Sequence, residues 1–161
     1  NKVFKNVVFV NPSFKLSNHY ICINVNNKKY IFYCLHENQV KPNYITLTMA
    51  QRKWMGASLE QTYEVDQFTP PKNEFIFKVI LAIDFLHRAR TSSDLIDSEK
   101  LLASFLDQFS NWPLTVGQTL NFLCDSSLPP FSIDVEELEI ADIGAFVSST
   151  ASGKKAQFGV L

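Results

Sequence analysis

The chain has 161 residues, of which 46% are hydrophobic and 19% are charged, and its formal net charge is −1. This length suits one ordinary domain or two small ones, and fourteen Phe and five Tyr can fill a substantial core. The near-neutral charge argues against a protein drawn to nucleic acid by its overall field. No apolar run approaches the ~20 residues that a membrane-spanning helix needs.

The chain has three cysteines, Cys22, Cys34 and Cys124, an odd number without a CxxC spacing. Such a set suits neither a disulfide framework nor a zinc site. We therefore expect three free thiols, a reducing compartment and no bound metal.

The first part of the chain consists of short β-prone runs separated by polar turns. The four residues 26–29 are polar and predict a hairpin turn with Lys28 and Lys29 at its tip. This pattern is typical of a small β-barrel or sandwich. The predicted strands are residues 7–10, 20–25, 30–35, 44–49 and 61–68.

A pair of prolines, Pro70 and Pro71, separates two parts of different composition. Adjacent prolines cannot donate to a strand ladder, which favours a linker. The part before Pro70 has eight Lys and Arg against four Asp and Glu, a net charge of +4, and the part from Pro70 onward has a net charge of −5. We predict two subdomains, residues 1–69 and 75–161, joined by a linker at 70–74.

The second part alternates strand and helix patterns. Residues 75–86 are apolar on both faces and predict a strand that is covered on both sides. Asp97 or Ser98 can cap a helix whose apolar stripe is Leu101, Leu102, Phe105, Leu106 and Phe109. Further strands are predicted at residues 118–124, 131–140 and 158–161, and a loop at 148–156. Within the strand predicted at 131–140, Asp134 and Glu136 are expected to share a face with Leu138 and Ile140.

Motifs for catalysis are absent from the sequence. Gly153-Lys154 is the nearest approach to a phosphate-binding loop, but the upstream glycine of the Gly-x4-Gly spacing is missing and Lys155 stands where Ser or Thr is needed. His19, His36 and His87 have no GxSxG nucleophile beside them. The acidic residues of 134–139 are expected to form a solvated edge, with binding of a basic domain as the alternative.

Surface recognition remains, and two basic pairs are the candidates. Arg52-Lys53 is followed by Trp54, which we expect to anchor a turn while the two cations point outward. Arg88 and Arg90 follow the first strand of the second subdomain. Solvated surface cations are the alternative interpretation for both pairs.

The segment around Arg52 resembles a known family. Residues 51–65 read QRKWMGASLEQTYEV, which resembles the QRKWxGxSxxQxxEV segment of the N-ethylmaleimide-sensitive fusion ATPases (NSF). The resemblance continues, in order and with similar spacing, at Ile83–Leu86, Phe105–Asn111, Val116–Phe122 and Ala151–Lys154. Together these strings cover almost the whole chain and indicate the N-terminal domain of the family, with a fungal member as our expectation.

This resemblance implies a β-rich α/β fold: a double-psi β-barrel followed by a small α/β domain with one main helix. It also implies a non-catalytic part of a homohexameric AAA ATPase. ATP and Mg²⁺ would bind in ATPase domains outside this chain, so the fragment itself is expected to hold no cofactor and to be a monomer in isolation. The expected location is the cytoplasm, with peripheral recruitment to membranes and no insertion into them.

The implied partners are the SNAP adaptor on SNARE complexes and the protein's own ATPase domains, in vesicle-mediated transport including ER–Golgi transport. In the family, the Arg-Lys of QRKW and basic residues after IDFL contact the acidic adaptor, which maps here to Arg52, Lys53 and Arg88. The family carries Lys-Lys after Gln at the second place, whereas this chain has His-Arg-Ala-Arg. Arg90 is therefore expected to supply the missing charge.

Three other functions are the alternatives for this sequence. The N-domain of a valosin-containing-protein-like unfoldase has the same fold and binds ubiquitin-pathway cofactors, but the QRKW and FxxQF strings argue against it. An enzyme of the double-psi barrel group would need nucleophile and carboxylate motifs that this sequence lacks. Nucleic-acid binding through Arg52, Lys53 and Trp54 is disfavoured by the net charge.

Overall fold

The computed structural model describes residues 6–72, 74–93, 95–141 and 153–161. These residues form two helices and eleven strands, which confirms the predicted β-rich α/β class. The elements are β1 Val8–Val10, β2 Tyr20–Val25, β3 Lys28–His36, β4 Ile45–Thr46, α1 Met49–Met55, β5 Glu64–Gln67, β6 Ile76–Phe85, α2 Ser98–Phe109, β7 Pro113–Thr115, β8 Thr119–Phe122, β9 Phe131–Ala141, β10 Gly153–Lys155 and β11 Phe158–Val160.

The first sheet has the strand order β4-β1-β3-β2-β5, with β1 parallel to β3 and the other neighbours antiparallel. Asn26 and Asn27 join β2 to β3 with φ values of 50° and 63°. Two successive left-handed residues are the signature of a type I′ turn, and Asn tolerates this conformation better than most residues. The predicted hairpin is therefore confirmed, although Lys28 and Lys29 are the first residues of β3 and do not form the tip of the hairpin.

The core of the first sheet is built from inward-facing aliphatic and aromatic side chains. Ile21, Ile23 and Phe32 are essentially inaccessible to solvent. Trp54 packs edge-on against Tyr30 and Phe32, with ring centroids 4.9 and 5.4 Å away. Since Trp54 belongs to α1, this core holds the helix against the sheet.

The second sheet is organised around the long strand β9. Strand β6 lies along one side of β9, and β8 and β10 lie along the other. Helix α2 begins at its N-cap Asp97, as predicted, and buries Phe105 and Phe109 against Phe122 and Phe131. The predicted apolar stripe is only partly correct, because two of its members are exposed, Leu102 and Leu106.

Two predicted elements differ in the structure. The strand expected over residues 44–49 contains only Ile45–Thr46, because Thr48 caps α1 and the chain turns into a helix. The loop expected over residues 148–156 contains the strand β10, which pairs with β9. Residues 148–152 of that prediction lie outside the described residues.

A β-bulge in β9 changes which face of the sheet its side chains point to. Ile80 pairs with Glu137 while Leu81 pairs with Val135, so Glu136 is an extra residue on the bulged strand. An extra residue reverses the alternation, and Val135 and Leu138 are therefore both buried. The expectation that Asp134 and Glu136 share a face with Leu138 was wrong for this reason.

The outer face of β6 is more open than the sequence indicated. Ile80 is 38% exposed and Phe77 is 45% exposed. The prediction of a strand covered on both faces is therefore wrong for the described part of the chain. Ile80 lies beside Glu137 on this face, so the surface combines apolar and acidic side chains.

Two hydrophobic cores lie on either side of the proline pair. One contains residues of β1, β2, β3 and α1, and the other contains residues of α2, β7, β8 and β9. The predicted linker at 70–74 falls between them in sequence, with residue 73 outside the described residues. Whether the two parts fold independently stays a prediction.

Candidate partner-binding site

Helix α1 carries the QRKW residues and is fixed by hydrogen bonds at both ends. The Thr48 hydroxyl accepts a bond of 3.2 Å from the backbone N–H of Gln51, and the Gln51 side chain accepts one of 2.7 Å from the backbone N–H of Thr48. This reciprocal pair is a capping box. Gly56 ends the helix at φ 65°, a left-handed conformation in which glycine carries no steric penalty.

Gln51 also joins the helix to the second sheet. Its Nε2 donates a hydrogen bond of 2.6 Å to the backbone carbonyl of Asn6. The Asn6 carboxamide in turn donates to the Asn121 carbonyl at 2.7 Å and accepts from the Asn121 N–H at 2.8 Å. All three residues are buried, and we call this chain of bonds the junction lock.

In the junction lock, a side-chain amide takes the place of a peptide group. Asn121 lies in β8, and its two backbone groups are bonded to the Asn6 carboxamide much as they would be to an added strand. On the free edge of β8, the backbone groups of Asn121 are thereby satisfied, which matters because an unpaired buried backbone group costs about 1–3 kcal/mol. The first part of the chain thus supplies two hydrogen bonds to a strand of the second.

Aromatic rings reinforce the same junction. Tyr33 of β3 stacks on Trp112 with centroids 5.0 Å apart and planes 9° apart, and Trp112 meets Phe109 of α2 edge-on at 5.3 Å. The Tyr20 hydroxyl donates a bond of 2.7 Å to the backbone carbonyl of Asn111. The two sheets are therefore held together by both polar and stacking contacts.

Lys53 lies on the solvent side of α1, opposite its buried residues Gln51 and Met55. Arg52 flanks the buried face: Lys53 is exposed, whereas Arg52 is half-buried. The Arg52 Nε is buried and has no hydrogen-bond partner among the described residues. The sequence placed this pair in a turn; the structure corrects this to a helix.

Arg88 and Arg90 lie in the turn that follows β6, and both are exposed. The turn is closed by a bond of 2.9 Å from the Arg90 N–H to the His87 carbonyl. These positions agree with the expectation that the second pair follows the first strand of the second sheet.

The candidate cations form two separate pairs in the structure. One pair is Arg52 and Lys53 on α1, and the other is Arg88 and Arg90 in the turn after β6. Helix α1 packs beside β8, whereas the turn leaves β6 on the other side of β9. Two strand spacings amount to about 10 Å between β8 and β6. Phe122, Phe131 and Phe85 pair in a row across these strands, and the turn with Arg88 and Arg90 follows Phe85 at this end of the sheet.

Sequence analysis missed the residues of the junction lock. Thr48 and Gln51 form a Thr-x-x-Gln signature, which is the local sign of a capping box and could have predicted the helix. Asn6 and Asn121 are 115 positions apart, and no local pattern links them.

In the described ranges, no three His, Cys, Asp or Glu side chains are grouped so that they could hold a metal ion. Cys22, Cys34 and Cys124 are all free thiols. Neither helix of the part that the structure describes is long and apolar enough to cross a bilayer.

The described residues thus form a strand-rich α/β fold in which a short helix, α1, carries the adjacent cations Arg52 and Lys53. No model of a known protein family matches the chain. The chain is similar, however, to several known proteins, and in the three described next the similarity covers most of its length.

The chain is 27% identical over 128 residues to the vesicle-fusing ATPase of Caenorhabditis elegans, which covers 77% of this chain and 15% of the relative. It is 27% identical over 124 residues to the vesicle-fusing ATPase of Dictyostelium discoideum, covering 77% of this chain and 16% of the relative. It is 26% identical over 118 residues to the vesicular-fusion protein SEC18 of Candida albicans, covering 71% of this chain and 15% of that protein.

These similarities confirm the resemblance to the vesicle-fusing ATPases that the sequence strings indicated. The chain spans less than a fifth of the length of the relatives it matches. Identity to the Candida protein is no higher than to the other two, so the comparisons do not favour a fungal source.

Proposed function

We propose that the chain is the adaptor-binding N-terminal domain of a vesicle-fusing AAA ATPase, and that its first subdomain is a double-psi barrel. In this proposal it binds the acidic face of a SNAP adaptor on a SNARE complex, and ATP hydrolysis elsewhere in a homohexamer drives SNARE disassembly. The fragment is non-catalytic, and ATP and Mg²⁺ bind to ATPase domains outside it. The proposed location is cytoplasmic, with recruitment to membranes through the adaptor.

The observation that carries the proposal is the mounting of Arg52 and Lys53. The residue before them is tied into the junction lock, and the residue after them, Trp54, is packed into the first core. A helix fixed at both sides loses little further backbone freedom when it binds, so more of the interaction energy is available for affinity. A purely solvated cation pair would need no such mounting.

The net charge of the first subdomain also supports binding of an acidic partner at this surface. The first 69 residues carry a net charge of +4, which favours encounter with an acidic partner at low ionic strength. An exposed ion pair contributes only about 0.2–1 kcal/mol, so single alanine substitutions are expected to have mild effects. Reversing charges places like charges in contact, which can cost several kcal/mol.

The test is binding of purified recombinant SNAP adaptor to the chain, measured by biolayer interferometry at several salt concentrations. The double substitution Arg52→Glu with Lys53→Glu is expected to weaken binding at least about tenfold, equal to ~1.4 kcal/mol. The loss should appear mainly in the association rate and shrink as salt rises, because screening weakens the attraction in the unsubstituted chain.

The matched control reverses Lys28 and Lys29, two adjacent exposed lysines at the start of β3. Equal losses from both double substitutions would show that only net charge matters. Unchanged binding after reversal of Arg52 and Lys53, with folding verified by circular dichroism, would remove this site. The Arg88→Glu with Arg90→Glu variant tests the second pair in the same assay.

A further inference from the structure

An apolar groove opens on the first sheet beside α1. Its volume is about 590 Å³. It is lined by Val7 and Phe9, at the start of the sheet, and by residues between β3 and α1. We call it the Met49 groove; its apolar lining is Val7, Phe9, Val40, Ile45, Leu47 and Met49.

Large apolar side chains at the rim of the groove are unusually exposed to solvent. Met49 is 75% exposed and Tyr44 is 65% exposed, and both line the groove. Exposed large apolar side chains gathered at a concavity are typical of protein-binding sites rather than of ordinary surface. Isolated exposed apolar residues would carry no such meaning.

The Met49 groove is continuous with the cation pair. Met49 is the first residue of α1, and Arg52 and Lys53 follow it at the i+3 and i+4 positions. Residues at these spacings lie on the same helix face, with Cβ atoms about 5–6 Å apart. A single partner surface that meets the two cations therefore also covers the rim of the groove.

We propose that the Met49 groove receives an apolar side chain of the same acidic partner, presented next to the carboxylates that meet Arg52 and Lys53. This inference rests on the proposed function, and it divides the interface into two parts. The cations attract and orient the partner, and the groove supplies a desolvated anchor. Interfaces commonly combine an apolar centre of this kind with a polar rim.

The charges of the groove support this occupant over a purely apolar one. Its polar lining includes Glu37 and Lys41, one charge of each sign. The positive pair on α1 follows Met49 of the groove rim at positions i+3 and i+4, and it complements carboxylates flanking the anchor. An apolar side chain within an acidic sequence fits both parts of the surface.

The test uses the adaptor-binding assay with the double substitution Tyr44→Ala and Met49→Ala. Both side chains are largely exposed, so the chain should still fold. The expected result is a loss of affinity of about tenfold that lies in the dissociation rate and is the same at low and high salt, because burial of apolar surface is not screened. This salt-independence separates it from the charge-reversal variant.

The matched control is Leu59→Ala, which removes another largely exposed apolar side chain outside the groove. If the unsubstituted chain binds and loses binding on reversal of Arg52 and Lys53, but Tyr44→Ala with Met49→Ala has no effect, the groove inference fails and the proposed function stands. If the unsubstituted chain does not bind the adaptor, both fail. Self-association in sedimentation that the groove variant abolishes would assign the groove to a second copy and overturn the inference.

Discussion

The Asn6 carboxamide and the Asn121 backbone exchange two hydrogen bonds across the junction between the two cores. Asn6 holds this position with φ 45°, a left-handed conformation that Asn adopts more readily than most residues. The side chain and the backbone of Asn6 therefore both depend on its being Asn. Gln51 bonds to the same residue, so this contact links α1 to the second sheet.

We predict that Asn6→Ala lowers the free energy of unfolding by at least about 1–3 kcal/mol, the cost of leaving a buried backbone group unsatisfied. Urea denaturation followed by circular dichroism measures the change. Asn43→Ala is the control, because Asn43 also has a left-handed φ, of 63°, but is exposed. A similar loss from both substitutions would attribute the effect to backbone strain rather than to the junction lock.

We predict that Phe105→Ala costs about 3–5 kcal/mol, as expected when a buried Phe is truncated. Phe105 is 2% exposed and its ring lies 4.7 Å from that of Phe109. Hydrogen exchange should accelerate more in α2 and its neighbouring strands than in β2 and β3. Leu102→Ala, on the exposed side of the same helix, should change stability little; a shift under about 1 kcal/mol for Phe105→Ala would contradict its core position.

We predict that Cys34 resists alkylation in the native protein. Burial raises the pKa of the Cys34 thiol from 9.0 to about 12, and only the thiolate is reactive. Iodoacetamide at pH 8 followed by peptide mass analysis should modify Cys124, which is half-buried, before Cys34. Labelling of Cys34 at the same rate in native and guanidinium-unfolded protein would contradict the prediction.

The same shift has a consequence for stability at high pH. Because the folded pKa is raised, the unfolded chain releases the Cys34 proton first as pH increases. The contribution of Cys34 to stability is therefore complete below about pH 9 and declines between pH 9 and about 12. A Cys34→Ala variant should lose less stability than the unsubstituted chain over this range.

We predict that the Asp125 carboxyl titrates well below its ordinary pKa of 3.8. The Lys100 ammonium lies 2.6 Å from it, and hydrogen bonds from Lys100 and then Ser127 hold its pKa down. Any stability from this contact is present above pH 3.8 and is lost as pH falls through the lower folded pKa. NMR titration should show Lys100→Met raising the Asp125 pKa.

Lys78→Met is the control for that titration. It breaks an ion pair with Glu139 on another part of the sheet and should leave the Asp125 pKa unchanged. An Asp125 titration at its ordinary pKa in the unsubstituted chain would show that the Lys100 contact is not formed in solution.

We predict that the chain does not bind ATP at micromolar affinity. The segment that comes nearest to a phosphate-binding loop, Gly153–Lys155, is a strand paired with β9 rather than a loop opening a helix. Its backbone amides are therefore not arranged to cradle phosphate. Isothermal calorimetry with Mg·ATP checks this, and saturable heat in that range would contradict it.

Local signals explain what the sequence could predict. The Asn26–Asn27 turn and the capped helix α2 are encoded by neighbouring residues, and both were confirmed. The β-branched Thr46 and Thr48 favour the strand expected over residues 44–49, and helix α1 was missed because residues 55–58 favour a turn. The capping box outweighed that propensity once Trp54 could be buried in the core.

Non-local features could not be predicted in the same way. The bulge at Glu136 exists only through the pairing of β9 with β6. Strand β7 begins at a proline, and this strand belongs to a two-stranded ribbon with β11 rather than to the larger sheet. At the candidate site, the adjacency of Arg52 and Lys53 is visible in the sequence. The contacts that hold them at the junction depend on Asn6 and Asn121, which only the fold brings together.

The placement of the two tryptophans gives the protein a pair of natural fluorophores with separate surroundings. Trp54 lies against Tyr30 and Phe32 within the first core, while Trp112 is stacked on Tyr33 between the two sheets. Replacing Trp54 by Phe would leave an emission spectrum that reports on the gap between the sheets alone. Opening of that gap, by partner binding or by early unfolding, would then appear as a red shift before the first core responds.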